Sequence, residues 1–99
     1  MVNQNQVLSF IRDNKESFKK DFHITKIGIF GSLAKQENTE ESDIDIIIEF
    51  EENTNNLFQI KKEIKHIFYN QFKTDIDICR EKYIKPIFKN QILSETIYV

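Results

Sequence analysis

The chain has 99 residues, 39% hydrophobic and 30% charged, with nine Phe and three Tyr, which is the composition of one small folded domain (1–99) and too aromatic for a disordered chain. Its 14 basic and 16 acidic residues leave a net charge of −2, which argues against direct nucleic-acid binding, because phosphate contacts call for a basic surplus. No window approaches the roughly 20 apolar residues of a membrane span, the first residues lack the regions of a signal peptide, and the single cysteine, Cys79, excludes an intramolecular disulfide, so a reducing cytoplasmic location is expected.

Residues 4–20 read as an amphipathic helix, with Val7, Leu8, Ile11 and Phe18 on its stripe and Lys15 at the margin. Residues 24–30 read as a strand that ends at Gly31, and residues 32–42 as a short helical turn and a polar loop. Residues 43–50 alternate: Asp43, Asp45, Ile47 and Glu49 point one way, and Ile44, Ile46, Ile48 and Phe50 the other, with Glu49 expected in solvent. A polar turn over 51–56 leads to a helix over 57–70, whose apolar face is Leu57, Ile60, Ile64, Ile67 and Phe68. Residues 74–79 alternate again as a third strand, and 83–93 suggest a last helix with Ile84, Ile87, Phe88 and Ile92 as its stripe. The order predicts an α/β (α+β) domain with helices on one face of a small sheet and the other face open to solvent or ligand.

That open face carries the chemistry. Asp43 and Asp45 share it on the second strand, and Asp75 and Asp77 share it on the third. Side chains two apart lie roughly 7 Å apart along a strand, and neighbouring strands lie about 5 Å apart, so three or four carboxylates would crowd one patch if the strands adjoin. Two such charges at 4 Å repel by about 4 kcal/mol at an effective dielectric of 20, and a divalent cation reverses that sign. Gly31-Ser32 follows a strand, where backbone N–H groups, the serine hydroxyl and Lys35 one turn on suit a phosphate. Taken singly, each piece has a bland reading: Gly-Ser is commonly a turn, Asp-x-Asp a solvated strand face, and Lys35 a surface charge. His23 and His66 have no partner at metal or triad spacing, and Cys79 reads as a small packing residue.

Gly31-Ser32, a ten-residue gap and Asp43-Ile44-Asp45 resemble the signature of the DNA polymerase beta-type nucleotidyltransferases. The stretches Gly28-Ile29-Phe30-Gly31-Ser32-Leu33-Ala34-Lys35 and Ser42-Asp43-Ile44-Asp45-Ile46-Ile47-Ile48-Glu49-Phe50, with the ending Ile92 to Val99, are similar to its small MNT subgroup across the whole chain. Members of that subgroup commonly carry Arg where this chain has Leu33 and Lys35, and Gly where it has Gln36.

The resemblance implies a nucleotidyltransferase fold with a small mixed sheet, two Mg²⁺ ions on Asp43, Asp45 and Asp77, and ATP as substrate on Gly31 and Ser32. Asp77 matches the third carboxylate, which assists deprotonation of the acceptor; Asp75 competes for that role. The chain has little material for an acceptor pocket, so another protein is expected to present the acceptor. The subgroup implies an antitoxin that transfers AMP to a tyrosine of a HEPN-domain ribonuclease toxin in a hetero-oligomer, where the added charge would block RNA binding. The alternatives are a binding module that neutralises its partner by covering it and, more weakly, a transferase acting on RNA ends.

Overall fold

A computed structural model describes residues 2–99. Its elements run α1 (Gln4–Phe22), β1 (Ile24–Phe30), α2 (Gly31–Ala34), β2 (Ile44–Phe50), α3 (Leu57–Phe72), β3 (Ile76–Arg80), a 3-10 turn (Glu81–Tyr83), α4 (Pro86–Glu95) and β4 (Ile97–Tyr98). The sheet has the order β3-β2-β1-β4, with β2–β3 parallel and the other two pairings antiparallel. This is the mixed sheet expected, with one strand more than the sequence suggests. β4 is two residues long, too short for any alternation to show, and it pairs with β1 at Gly28 and Ile29.

Helix α1 starts at a capping box. Asn3 Oδ1 accepts from Gln6 N–H, and Gln6 Oε1 accepts from Asn3 N–H, which satisfies two of the unpaired donors at that end. Its buried residues are Val7, Ile11 and Phe18. Lys15 is exposed, and Asn14, with its Nδ2 donating to the Phe10 carbonyl, takes the intermediate place on the stripe. The stripe packs with Ile64 and Phe68 of α3 against the apolar side of the sheet: Ile27 and Ile29 of β1, Ile44, Ile46 and Ile48 of β2, and Ile76 and Ile78 of β3. Phe10 meets Phe68 and Phe72 edge-on, each at 5.3 Å between centroids, a favoured aromatic arrangement.

The opposite side of the sheet is not bare along its whole length. Ile47, which shares it with Asp45, is fully buried, and Ile84 is buried too, yet both stand outside the main cluster. Glu49 is not in free solvent either. It accepts from Arg80 Nε at 3.0 Å and from the Lys82 N–H at 3.2 Å, which ties the 3-10 turn to β2. Burial alone would raise the Glu49 carboxyl, but the Arg80 hydrogen bond and the backbone donors outweigh it and hold the group below the usual carboxylate range. The expected stripe of the last helix also needs correction. Ile84 lies before α4, whose first residue is Pro86, and Ile87 and Phe88 are exposed at 82% and 51%. No helix among the described residues is long and apolar enough to cross a membrane.

Candidate active site

Phe30 and Asp45 are partners in the β1–β2 ladder, so the turn that follows β1 begins beside Asp45. Gly31 has φ +70°, a left-handed conformation natural to glycine. A Cβ on it would run into the Asp45 carboxylate, whose Cγ lies 3.1 Å from that position. Gly31 thus lets the loop backbone and a carboxylate approach as no other residue would. The turn α2 is a single one, anchored by the buried Leu33 and closed by Lys35 N–H to the Gly31 carbonyl and Glu37 N–H to the Ser32 carbonyl. Gln4 Nε2 also donates to the Ala34 carbonyl at 2.8 Å. No side chain caps the first turn of α2.

Gln36, where the resemblance drawn from the sequence leads to glycine, adopts the left-handed conformation, with φ 60°. The loop therefore keeps the bend a glycine would give it, and Gln36 Nε2 donates to Gln4 Oε1.

The two acidic strands are neighbours. Asp45 stands opposite Asp77 in the parallel β2–β3 register. Asp43 precedes β2 by one residue and, like Asp77, is exposed. The Asp45 carboxyl is pushed up to about 6, by burial first and then by the charges of Asp77 and Asp43. The two charge contributions, smaller than that of burial, show that Asp43 and Asp77 both lie close enough to Asp45 to repel it. Asp75 differs from the expectation that it lies within a strand: it sits just before β3, where its carbonyl accepts from Ile44 N–H at 2.9 Å. It is not among the groups that perturb Asp45, and this favours Asp77 over Asp75 as the third carboxylate.

No set of three His, Cys, Asp or Glu among the described residues is close-set enough to cage an ion alone. Magnesium does not need such a cage, since it commonly takes one or two carboxylates and completes its shell with water and substrate phosphates. Hard oxygen donors that repel one another fit that ion, and the uncapped N–H groups beside them suit the phosphates that would complete its shell.

Lys35 is placed differently from a free phosphate ligand. Its Nζ lies 3.4 Å from Glu95 Oε2 at the end of α4. Glu95 is 60 positions away in sequence, so no local pattern could have paired them.

The family model described as polymerase beta nucleotidyltransferase matches residues 13–99. The chain belongs to this nucleotidyltransferase family. A Methanocaldococcus jannaschii protein provisionally named a protein adenylyltransferase is 33% identical over 100 residues, spanning the whole of both chains. Among solved structures, one of a minimal nucleotidyltransferase matches with a TM-score of 0.76 at 25% identity, covering 97% of this chain and 95% of that one. A chain of a toxin–antitoxin crystal structure with AMP-PNP shares the fold at a TM-score of 0.65 and 20% identity, covering 98% of this chain and 72% of that one. Within this nucleotidyltransferase the acidic patch and the glycine turn adjoin each other.

Proposed function

We propose that this nucleotidyltransferase moves AMP from ATP to a tyrosine hydroxyl of a partner HEPN-domain ribonuclease toxin, in the cytoplasm, and so acts as its antitoxin. The observation that carries the reading is the pairing of Asp45 with Asp77 next to the Gly31 turn. Support for the protein acceptor comes from the relative named as a protein adenylyltransferase and from the toxin–antitoxin structure with AMP-PNP.

In this reading the backbone of Gly31 and the hydroxyl of Ser32 hold the triphosphate. Asp43, Asp45 and Asp77 would hold magnesium, two ions by family resemblance. The metal, when bound, offsets the repulsion among the carboxylates and the charge developing on the phosphates. Exposed Asp77 accepts the proton of the acceptor hydroxyl. The tyrosine oxygen attacks the α-phosphorus in line; the new P–O bond forms as the bond to the β-phosphate bridging oxygen breaks, and pyrophosphate leaves with that electron pair. The test is to incubate the co-purified partner with ATP and Mg²⁺ and to weigh it by mass spectrometry. AMP-sized additions are expected with wild type and not with Asp43→Asn; no addition with either sinks the reading.

The exposed Ile87 and Phe88 of α4 favour a second reading, neutralisation by coverage. Asp45→Asn separates the two. If it abolishes neutralisation while the complex still forms, transfer is the mechanism; if neutralisation persists, coverage is.

A further inference from the structure

We propose that Glu95 is a built-in competitor for the triphosphate at Lys35, so that α4 sets the affinity of the nucleotide site. This rests on the reading of Gly31-Ser32 as the phosphate loop. Lys35 closes the single turn that the loop opens, and its ammonium is held by Glu95 at 3.4 Å.

Two roles can be imagined for such a pair, and the structure separates them. A scaffold role would need Glu95 to shape the loop. The loop is already shaped without it: Leu33 is buried, three backbone hydrogen bonds close the turn and its exit (Lys35 N–H to Gly31, Gln36 N–H to Leu33, Glu37 N–H to Ser32), and Gln4 holds the Ala34 carbonyl. The pair itself is solvated, with the two side chains 41% and 33% exposed, and ion pairs of that kind contribute little to stability. What remains is charge. Glu95 neutralises the basic side chain closest in sequence to the loop.

A bound triphosphate offers Lys35 a stronger anion than a single carboxylate. Binding therefore exchanges Lys35–Glu95 for Lys35–phosphate and frees the end of α4. By linkage, anything that draws Glu95 away from Lys35 tightens nucleotide binding, and nucleotide loosens that contact in return.

The experiment is calorimetric titration of the full chain with magnesium–AMP-PNP at low and high salt, for wild type, Glu95→Gln, Lys35→Met and the double variant, with thermal melts confirming that each is folded. Glu95→Gln is expected to bind about two- to five-fold more tightly than wild type at low salt, the range a solvated ion pair allows. The gain should shrink at high salt and vanish in the Lys35→Met background. Unchanged or weaker binding by Glu95→Gln, while wild type binds, overturns the competitor role alone. A gain that survives in Lys35→Met overturns it as well. No binding by wild type overturns both this inference and the phosphate-loop reading beneath it.

Discussion

Gly31 and Asp45 are packed so closely that a single methyl group cannot be placed between them. The Cβ of any other residue at position 31 would overlap the Asp45 carboxylate. The backbone there, at φ +70°, would also cost an L-residue roughly 1–2 kcal/mol. Gly31→Ala is therefore expected to lower the melting temperature by about 4–8 °C per kcal/mol lost and to remove nucleotide binding, because Asp45 must swing away. Thermal melts with AMP-PNP titration check this; a variant that melts and binds like wild type would show that the two residues do not share that space.

Asp45 gives a pH dependence with a defined sign. Its carboxyl is raised from 3.8 to about 6 in the folded chain. Folding therefore favours the protonated form, and the stability this group contributes is present in full below pH 3.8 and lost as pH rises through about 6. A shift of that size would be worth roughly 3 kcal/mol for a wholly buried group. This carboxylate is partly solvated, and screening leaves about 1 kcal/mol. Asp45→Asn should accordingly melt about 4–8 °C higher than wild type at neutral pH without divalent ions, with the difference closing toward pH 4. Equal melting temperatures at pH 5 and 7.5 for both proteins would remove the electrostatic basis of the site.

Glu49 has the opposite sign. Its carboxyl is lowered by Arg80 and the Lys82 N–H despite its burial. The stability it adds is present above the ordinary carboxylate value of 4.5 and lost as pH falls through the lowered value in the fold. Glu49→Gln leaves a largely buried Arg80 guanidinium without its carboxylate, at a cost of about 1–2 kcal/mol. Melts across pH 3–7 check it. The loss should be the same with and without Mg²⁺, since Glu49 serves the 3-10 turn and not the acidic patch.

How much of this was legible in the sequence follows from how local each cause is. Alternation over Asp43–Phe50 set which side of β2 is acidic, and the isoleucine rows of β2 and β3 placed the core, because strand periodicity needs only neighbours two apart. The same rule overreached at Asp75, where the ladder starts one residue later. Ile87 and Phe88 looked like a buried stripe, but α4 starts at Pro86, buries no residue fully, and leaves both exposed. β4, the Arg80–Glu49 lock and the Lys35–Glu95 pair depend on residues far apart in the chain, and no window of sequence contains both partners.

Gln36 carries a further prediction. A non-glycine residue at φ 60° is strained, and the Gln36 side chain offsets this with one exposed hydrogen bond to Gln4. Gln36→Gly relieves that strain and is expected to raise stability by about 0.5–1 kcal/mol, read as a higher melting temperature. A lower one would mean that the Gln4 contact outweighs the backbone cost.

The most direct test is whether β2 and β3 serve one ion. Titration with Mn²⁺, followed by electron paramagnetic resonance in the presence of AMP-PNP, reads metal and nucleotide together. Wild type is expected to bind, and Asp45→Asn and Asp77→Asn are each expected to weaken binding by about tenfold or more, or 1.4 kcal/mol. Undiminished binding by Asp77→Asn, with loss in Asp45→Asn, would contradict a site shared between the two strands.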